Sequence, residues 1–137
     1  MSETKIIEVE ERVHETYALI IKLIISRQPA KWEGICTKVL RTGFGYKRGE
    51  KEKSAFLQRL FILTADQLYY VEPSDLVLKG TINLAQVESV LSSQKCENCL
   101  ELTSGPRTYY IQFKKGIIEW EQDLIASVNK RRKLRMQ

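Results

Sequence analysis

The sequence predicts a mainly β fold: a seven-stranded antiparallel barrel or sandwich, capped by a C-terminal α-helix and preceded by an N-terminal helical extension. Three observations predict it. From Trp32 onward, short apolar runs follow one another, each ended by turn residues at hairpin spacing. After Phe113 the apolar period lengthens from that of a strand to that of a helix. Before Pro29 a separate helical period covers the first part of the chain.

Taken in order, residues 4 to 26 place Ile6, Val9, Val13, Tyr17, Ile20 and Ile24 at steps of three and four, the spacing of one helical face. Ser2 or Thr4 can cap this helix, and Glu8, Glu10 and Glu11 fall early, where the helix dipole favours acid. Pro29 closes the element. The β-branched run "LIIKLII" also admits a strand. The first strand of the barrel is expected in "WEGICTKVL" (32–40), followed by a glycine-rich basic loop, "RTGFGYKRGEKEKS" (41–54). Strands two to seven are "FLQRLFILT", "QLYYVE", "LKGTINL", "VESVL", "CLELT" and "RTYYIQF". Thr64-Ala65-Asp66 reads as a tight hairpin, Pro73-Ser74-Asp75 as a loop and Ser104-Gly105-Pro106 as a turn. In "KKGIIEWEQDLIASVNKRR", Ile117, Trp120, Leu124, Ile125 and Val128 fall on one stripe, while Glu119, Glu121, Gln122 and Asp123 fall off it. A helix of about three turns would plug one end of the barrel with Trp120 inward, leaving the basic loop at the open rim. The chain thus divides into an extension (1–30), one domain (31–130) and a basic tail (131–137).

Length and composition fit this plan, since 137 residues with 43% hydrophobic content suit a single domain. The net charge of +5 is concentrated in two places. Between Lys38 and Arg59, seven basic residues face only Glu50 and Glu52, and "NKRRKLRMQ" carries five more. Two basic patches on a mildly acidic body point to an anionic partner, a membrane surface or a polyanion. For the tail, a nuclear signal, a nucleic-acid patch, a second membrane contact and a solvated helix end all fit, and no specific nucleic acid is expected. Three cysteines argue against a disulfide framework and for a reducing compartment. The N-terminus is acidic where a signal or transit peptide is basic, and "YALIIKLII" falls far short of the ~20 residues of a membrane span. The reading is cytoplasmic, with peripheral membrane association.

Catalysis has little to work with. His14 is the only histidine, and no serine or cysteine stands in a nucleophile motif. "GFGYKRG" lacks the Lys-Ser/Thr ending of a phosphate-binding P-loop and precedes a strand instead of a helix. Cys96 and Cys99 have CxxC spacing, but only Cys36 and His14 remain to complete a zinc site, and both lie in distant segments. Cys99 is expected to begin the sixth strand and Cys96 to lie in the turn before it. No enzymatic activity, metal or cofactor is expected.

Seven strands followed by a helix with an early Trp resemble the pleckstrin homology domain, over residues 32 to 130. Gly34, Cys36 and Lys38 resemble its first-strand pattern, Arg59 to Leu63 ("RLFIL") its second-strand pattern, and Trp120 with Leu124 its closing helix. Within the family, "LYYVEPSDLVLKGTI" and "RTYYIQF" look like segments of the domain carried by the 3-phosphoinositide-dependent protein kinase, which also has a helical extension before its first strand. The resemblance implies a phosphoinositide-binding, non-catalytic module recruited to membranes. Its lipid-binding members grip inositol phosphates with basic residues at the barrel mouth. Carried onto this sequence, the binding residues are Lys38, Lys47, Arg48 and Arg59, with Arg41, Lys53 and Lys79 behind them. Strand alternation sets Lys38 beside Arg59 at the rim, bracketing the loop with Gly43, Gly45 and Gly49. The position two before Arg59, where high-affinity members carry a second base, is Leu57. The alternatives are nonspecific attraction to anionic membranes and a protein adaptor on the same fold, with the N-terminal helix as one partner surface.

Overall fold

In the computed structural model of the chain, the described residues are 39–48 and 55–135, with Leu19, Lys22, Leu23 and Ser26 upstream. The strands are β1 (Val39–Arg48), β2 (Phe56–Thr64), β3 (Gln67–Val71), β4 (Leu78–Asn83), β5 (Ser89–Ser92), β6 (Cys99–Ser104) and β7 (Arg107–Gln112). A 3-10 turn, Leu84–Gln86, follows β4, and the helix α1 spans Ile117–Arg135. The strands form a single antiparallel sheet in the order β4-β3-β2-β1-β7-β6-β5, so β1 joins the two halves.

The turns form where their residues demand them. Thr64 Oγ accepts from the Gln67 amide at 3.1 Å and closes the Ala65-Asp66 hairpin. Gly105 takes φ +59° between β6 and β7, a conformation that a Cβ disfavours. In the β3–β4 connection the Leu76 amide donates to the Glu72 carbonyl at 2.8 Å, and the Glu72 amide donates to the Val77 carbonyl at 2.9 Å. Alternation turns Phe61, Leu63, Leu68, Ile82, Leu100, Leu102 and Ile111 inward, where Phe113 and the helix residues Trp120, Leu124 and Val128 complete the core. Phe113 stacks on Trp120 with ring centroids 4.3 Å apart and meets Phe61 edge-on at 5.2 Å.

Three expectations need correction. The first strand lies at Val39–Arg48, so residues 41–48 are strand and not loop. Gly43 and Gly45 do not open a phosphate cradle. A Cβ at Gly45 would lie 2.9 Å from the Gln112 carbonyl oxygen and 2.9 Å from the Phe113 ring, and one at Gly43 would touch Trp120 at 3.6 Å. The helix is longer than three turns: it has 19 residues, runs through the basic segment to Arg135, and leaves Ile125 exposed. Arg131 pairs with Asp66 at 2.7 Å, fastening that segment to the β2–β3 turn. Finally, Cys99 begins β6 and Cys96 lies in the turn before it, as expected, but the two are joined by a disulfide. An odd cysteine count disfavours a framework, yet a separation of three residues with Cα atoms 5.6 Å apart permits one bridge.

The expected N-terminal extension lies outside the described residues, apart from its four helical positions named above. No helix among the described residues is long and apolar enough to cross a membrane.

Candidate functional site

The antiparallel order gathers the ends of β1, β3 and β6 and the starts of β2, β4 and β7 at one end of the barrel. The helix closes the other end: its Asp123 meets Arg41 near the start of β1, and its Arg131 meets the β2–β3 turn. At the open end, register decides which side chains share the inner face. Lys47 stands opposite Leu57 on β2 and Ile111 on β7, and Arg59 stands opposite Gly45. Lys47 and Arg59 are therefore diagonal neighbours on one face. Tyr70, two residues before Glu72, and Tyr109 and Arg107, two and four before Ile111, point the same way.

Contacts bear this out. Lys47 is only 9% exposed, and its Nζ sits 4.7 Å from the Tyr70 ring centroid and 5.5 Å from that of Tyr109. Two electron-rich ring faces offset part of the cost of burying an ammonium. Tyr70 can lie here because position 80 is glycine: a Cβ there would fall 2.2 Å from its hydroxyl. Arg107 stacks over Tyr109 at 4.2 Å. Arg59 Nη1 donates to Glu72 Oε2 at 2.8 Å, and Glu72 Oε1 accepts from the Ser74 hydroxyl at 3.2 Å. Among the described residues, this face thus brings together three cations (Lys47, Arg59, Arg107), two tyrosines and one carboxylate. Such an array suits an anion with several oxygens, since each cation supplies charge-assisted donors.

The sequence-derived residues divide accordingly. Lys47 and Arg59 meet at the rim. Arg48 alternates to the outer face and lies over Tyr110 at 6.0 Å. Arg41 is at the closed end, bonded to Asp123 and over Trp120 at 5.9 Å. Lys79 is exposed at the start of β4, near the rim. Lys38 and Lys53 lie outside the described residues, as does His14. The place expected for Lys38, beside Arg59, belongs to Lys47, because Val39 pairs with Thr64 at the far end of β2. Tyr70, Glu72, Arg107 and Tyr109 were not foreseen. The alternation Arg107, Tyr109, Ile111 is visible in "RTYYIQF", but only the pairing of β7 with β1 turns it toward Lys47. No group of three or more metal-ligating side chains occurs among the described residues.

A family model for the PH domain matches residues 39–116. The chain belongs to the PH domain family. PH domains often bind phosphoinositides and mediate membrane recruitment, and they are generally non-catalytic. The match begins at Val39, where β1 begins. Among solved structures, the C-terminal PH domain of pleckstrin is similar at 25% identity and a TM-score of 0.57, over 66% of this chain and 96% of that one. The same domain in complex with D-myo-Ins(1,2,3,5,6)P5 matches at 25% identity and a TM-score of 0.57, over 66% of this chain and 95% of that one. The N-terminal PH domain of human ARAP2 matches at 19% identity and a TM-score of 0.58, over 67% of this chain and 81% of that one. The finer resemblance to the kinase's PH domain gains no support from these matches. No curated protein matches the chain.

Proposed function

We propose that this PH domain binds the phosphorylated headgroup of a phosphoinositide at its open rim and so brings its carrier to anionic membranes. The observation that carries this reading is the meeting of Lys47 and Arg59 on the inner face of β1 and β2, with Arg107 entering from β7. Arg107 adds, from a different strand, a charge that Leu57 does not supply. Leu57, 53% exposed and directly opposite Lys47, offers an apolar contact at the same rim. Lys79, and Lys51 and Lys53 of the β1–β2 connection, add long-range attraction worth about 1 kcal/mol each near an anionic leaflet. Lys38, Arg41 and Arg48 are not assigned to the site. Support also comes from the pleckstrin domain solved with an inositol pentakisphosphate, at 25% identity.

The test is co-sedimentation of the intact chain with vesicles at near-physiological salt, comparing phosphatidylserine alone with each phosphoinositide added. Pelleting selective for a phosphorylated inositol lipid, lost in Lys47→Ala/Arg59→Ala, is expected. Equal pelleting with all anionic vesicles, fading as salt rises, would reduce the rim to a charge patch. A second reading, a protein adaptor, is favoured by exposed Leu91 on β5 and by Ile118 and Ile125, two turns apart on α1. Glu121 between them accepts from the Ser92 hydroxyl of β5 at 2.8 Å, which sets Ile118 and Ile125 beside that strand, while Leu91 alternates to its other face. Absence of pelleting with every vesicle would select that reading.

A further inference from the structure

The outer face of β2 and β3 is buried, although it points away from the core. Phe61, Leu63, Leu68 and Tyr70 turn inward, leaving Leu60, Ile62, Tyr69 and Val71 on the opposite face. Register pairs Leu60 with Val71 and Ile62 with Tyr69, making one apolar block. None of the four is more than 1% exposed, as enclosed as the interior of the barrel. The principal described neighbours of β2 and β3 are strands within the sheet, while α1 packs on the 3-10 turn, β5 and β1. A sheet face reaches such burial only beneath a covering layer.

We propose that the amphipathic segment 4–26 of the same chain is that cover, laid as a helix across β2 and β3. Its stripe of Ile6, Val9, Val13, Tyr17, Ile20 and Ile24 matches the block in chemistry. The described positions of the segment give its orientation. Leu19, Lys22, Leu23 and Ser26 are helical and exposed, two leucines included. At about 3.6 residues per turn, these four fall on the side of the helix away from the stripe. The solvent side is therefore the side without Ile20 and Ile24, and the stripe faces the protein. Connectivity favours the chain's own segment over that of a second copy. Residues 27–38 can extend roughly 40 Å, more than the roughly 30 Å length of β2, and they end at Val39, paired with Thr64 at one end of the block. A tether of that length holds the segment at a millimolar effective concentration. The extension is then part of the fold, and its surface for other proteins is the exposed Leu19–Leu23 side.

Nuclear Overhauser contacts in the methyl-labelled full chain test this. Contacts from Ile20 or Ile24 to Leu60, Ile62 or Val71 are expected in the monomer, and none between chains in a mixed-label sample. Contacts found only between chains, or none between stripe and block, would overturn the proposal. Variants add a second arm. Ile20→Ser should lower Tm by roughly 5–15 °C, and Leu19→Ser by no more than about 2 °C. Equal losses would show that the stripe is not the seated face.

Discussion

At the closed end of the barrel Arg41 meets Asp123 and lies over Trp120, while Arg131 meets Asp66; at the open end Arg59 meets Glu72 while Lys47 and Arg107 lie over tyrosines. The parts are alike: guanidinium, carboxylate and aromatic ring. Exposure does not separate them, since the Arg41 and Arg59 side chains are 25% and 15% exposed. Balance does. At the closed end Arg41 and Arg131 each have a carboxylate from another element, so these charges cancel and the pairs tie helix to sheet. At the open end the inner face carries three cations to one carboxylate among the described residues. Under the proposed function, Arg41 and Arg131 are fastenings between elements, and Lys47, Arg59 and Arg107 are the residues read as binding an anion.

That contrast can be broken from either side. The largest effect is expected from Trp120→Ala, which removes the ring stacked on Phe113 and against Gly43 and should cost about 3–5 kcal/mol in urea unfolding. Gly45→Ala comes next, at about 1–3 kcal/mol, because its Cβ meets the Gln112 carbonyl as well as the Phe113 ring. Arg41→Ala should cost about 1 kcal/mol by removing its charge-assisted bond to Asp123, and should leave headgroup binding unchanged. Loss of binding in that variant would erase the distinction between the ends. Glu72→Gln is the smallest change in stability, within about 1 kcal/mol. It should sharpen the contrast by freeing Arg59 from an internal competitor, tightening inositol phosphate binding roughly three- to tenfold by calorimetry. Weaker binding in Glu72→Gln would mean that the carboxylate positions Arg59 instead of competing for it.

Much of this fold was legible locally. Strands two to seven announced themselves through turn residues whose conformations are set nearby, such as Thr64 at its hairpin and Gly105 between β6 and β7. The helix announced itself through the Trp120, Leu124, Val128 period. Strand one did not, because the Gly-x-x-x-Lys spacing occurs twice, at Gly34 to Lys38 and at Gly43 to Lys47. In the second copy, Trp120 and Phe113 press on the strand at Gly43 and Gly45, and those rings lie far along the chain. The error carries into the site: Lys47, expected in a loop, lies on β1 and stands at the position beside Arg59 that the sequence reading gives to Lys38. Arg107 and Tyr109 could not be assigned to the rim without knowing that Ile111 pairs with Lys47. Local chemistry therefore disclosed the turns and periods, and long-range register decided which cations share a face.

The measurement that tests the central claim most directly is calorimetric titration of the intact chain with a soluble inositol polyphosphate, beside Lys47→Ala/Arg59→Ala and Arg41→Ala variants. Charge excess at the open end predicts at least tenfold weaker binding, about 1.4 kcal/mol or more, in the double variant and none lost in Arg41→Ala. Equal binding by the double variant and the unmodified chain would contradict it, and so would an equal loss in both variants.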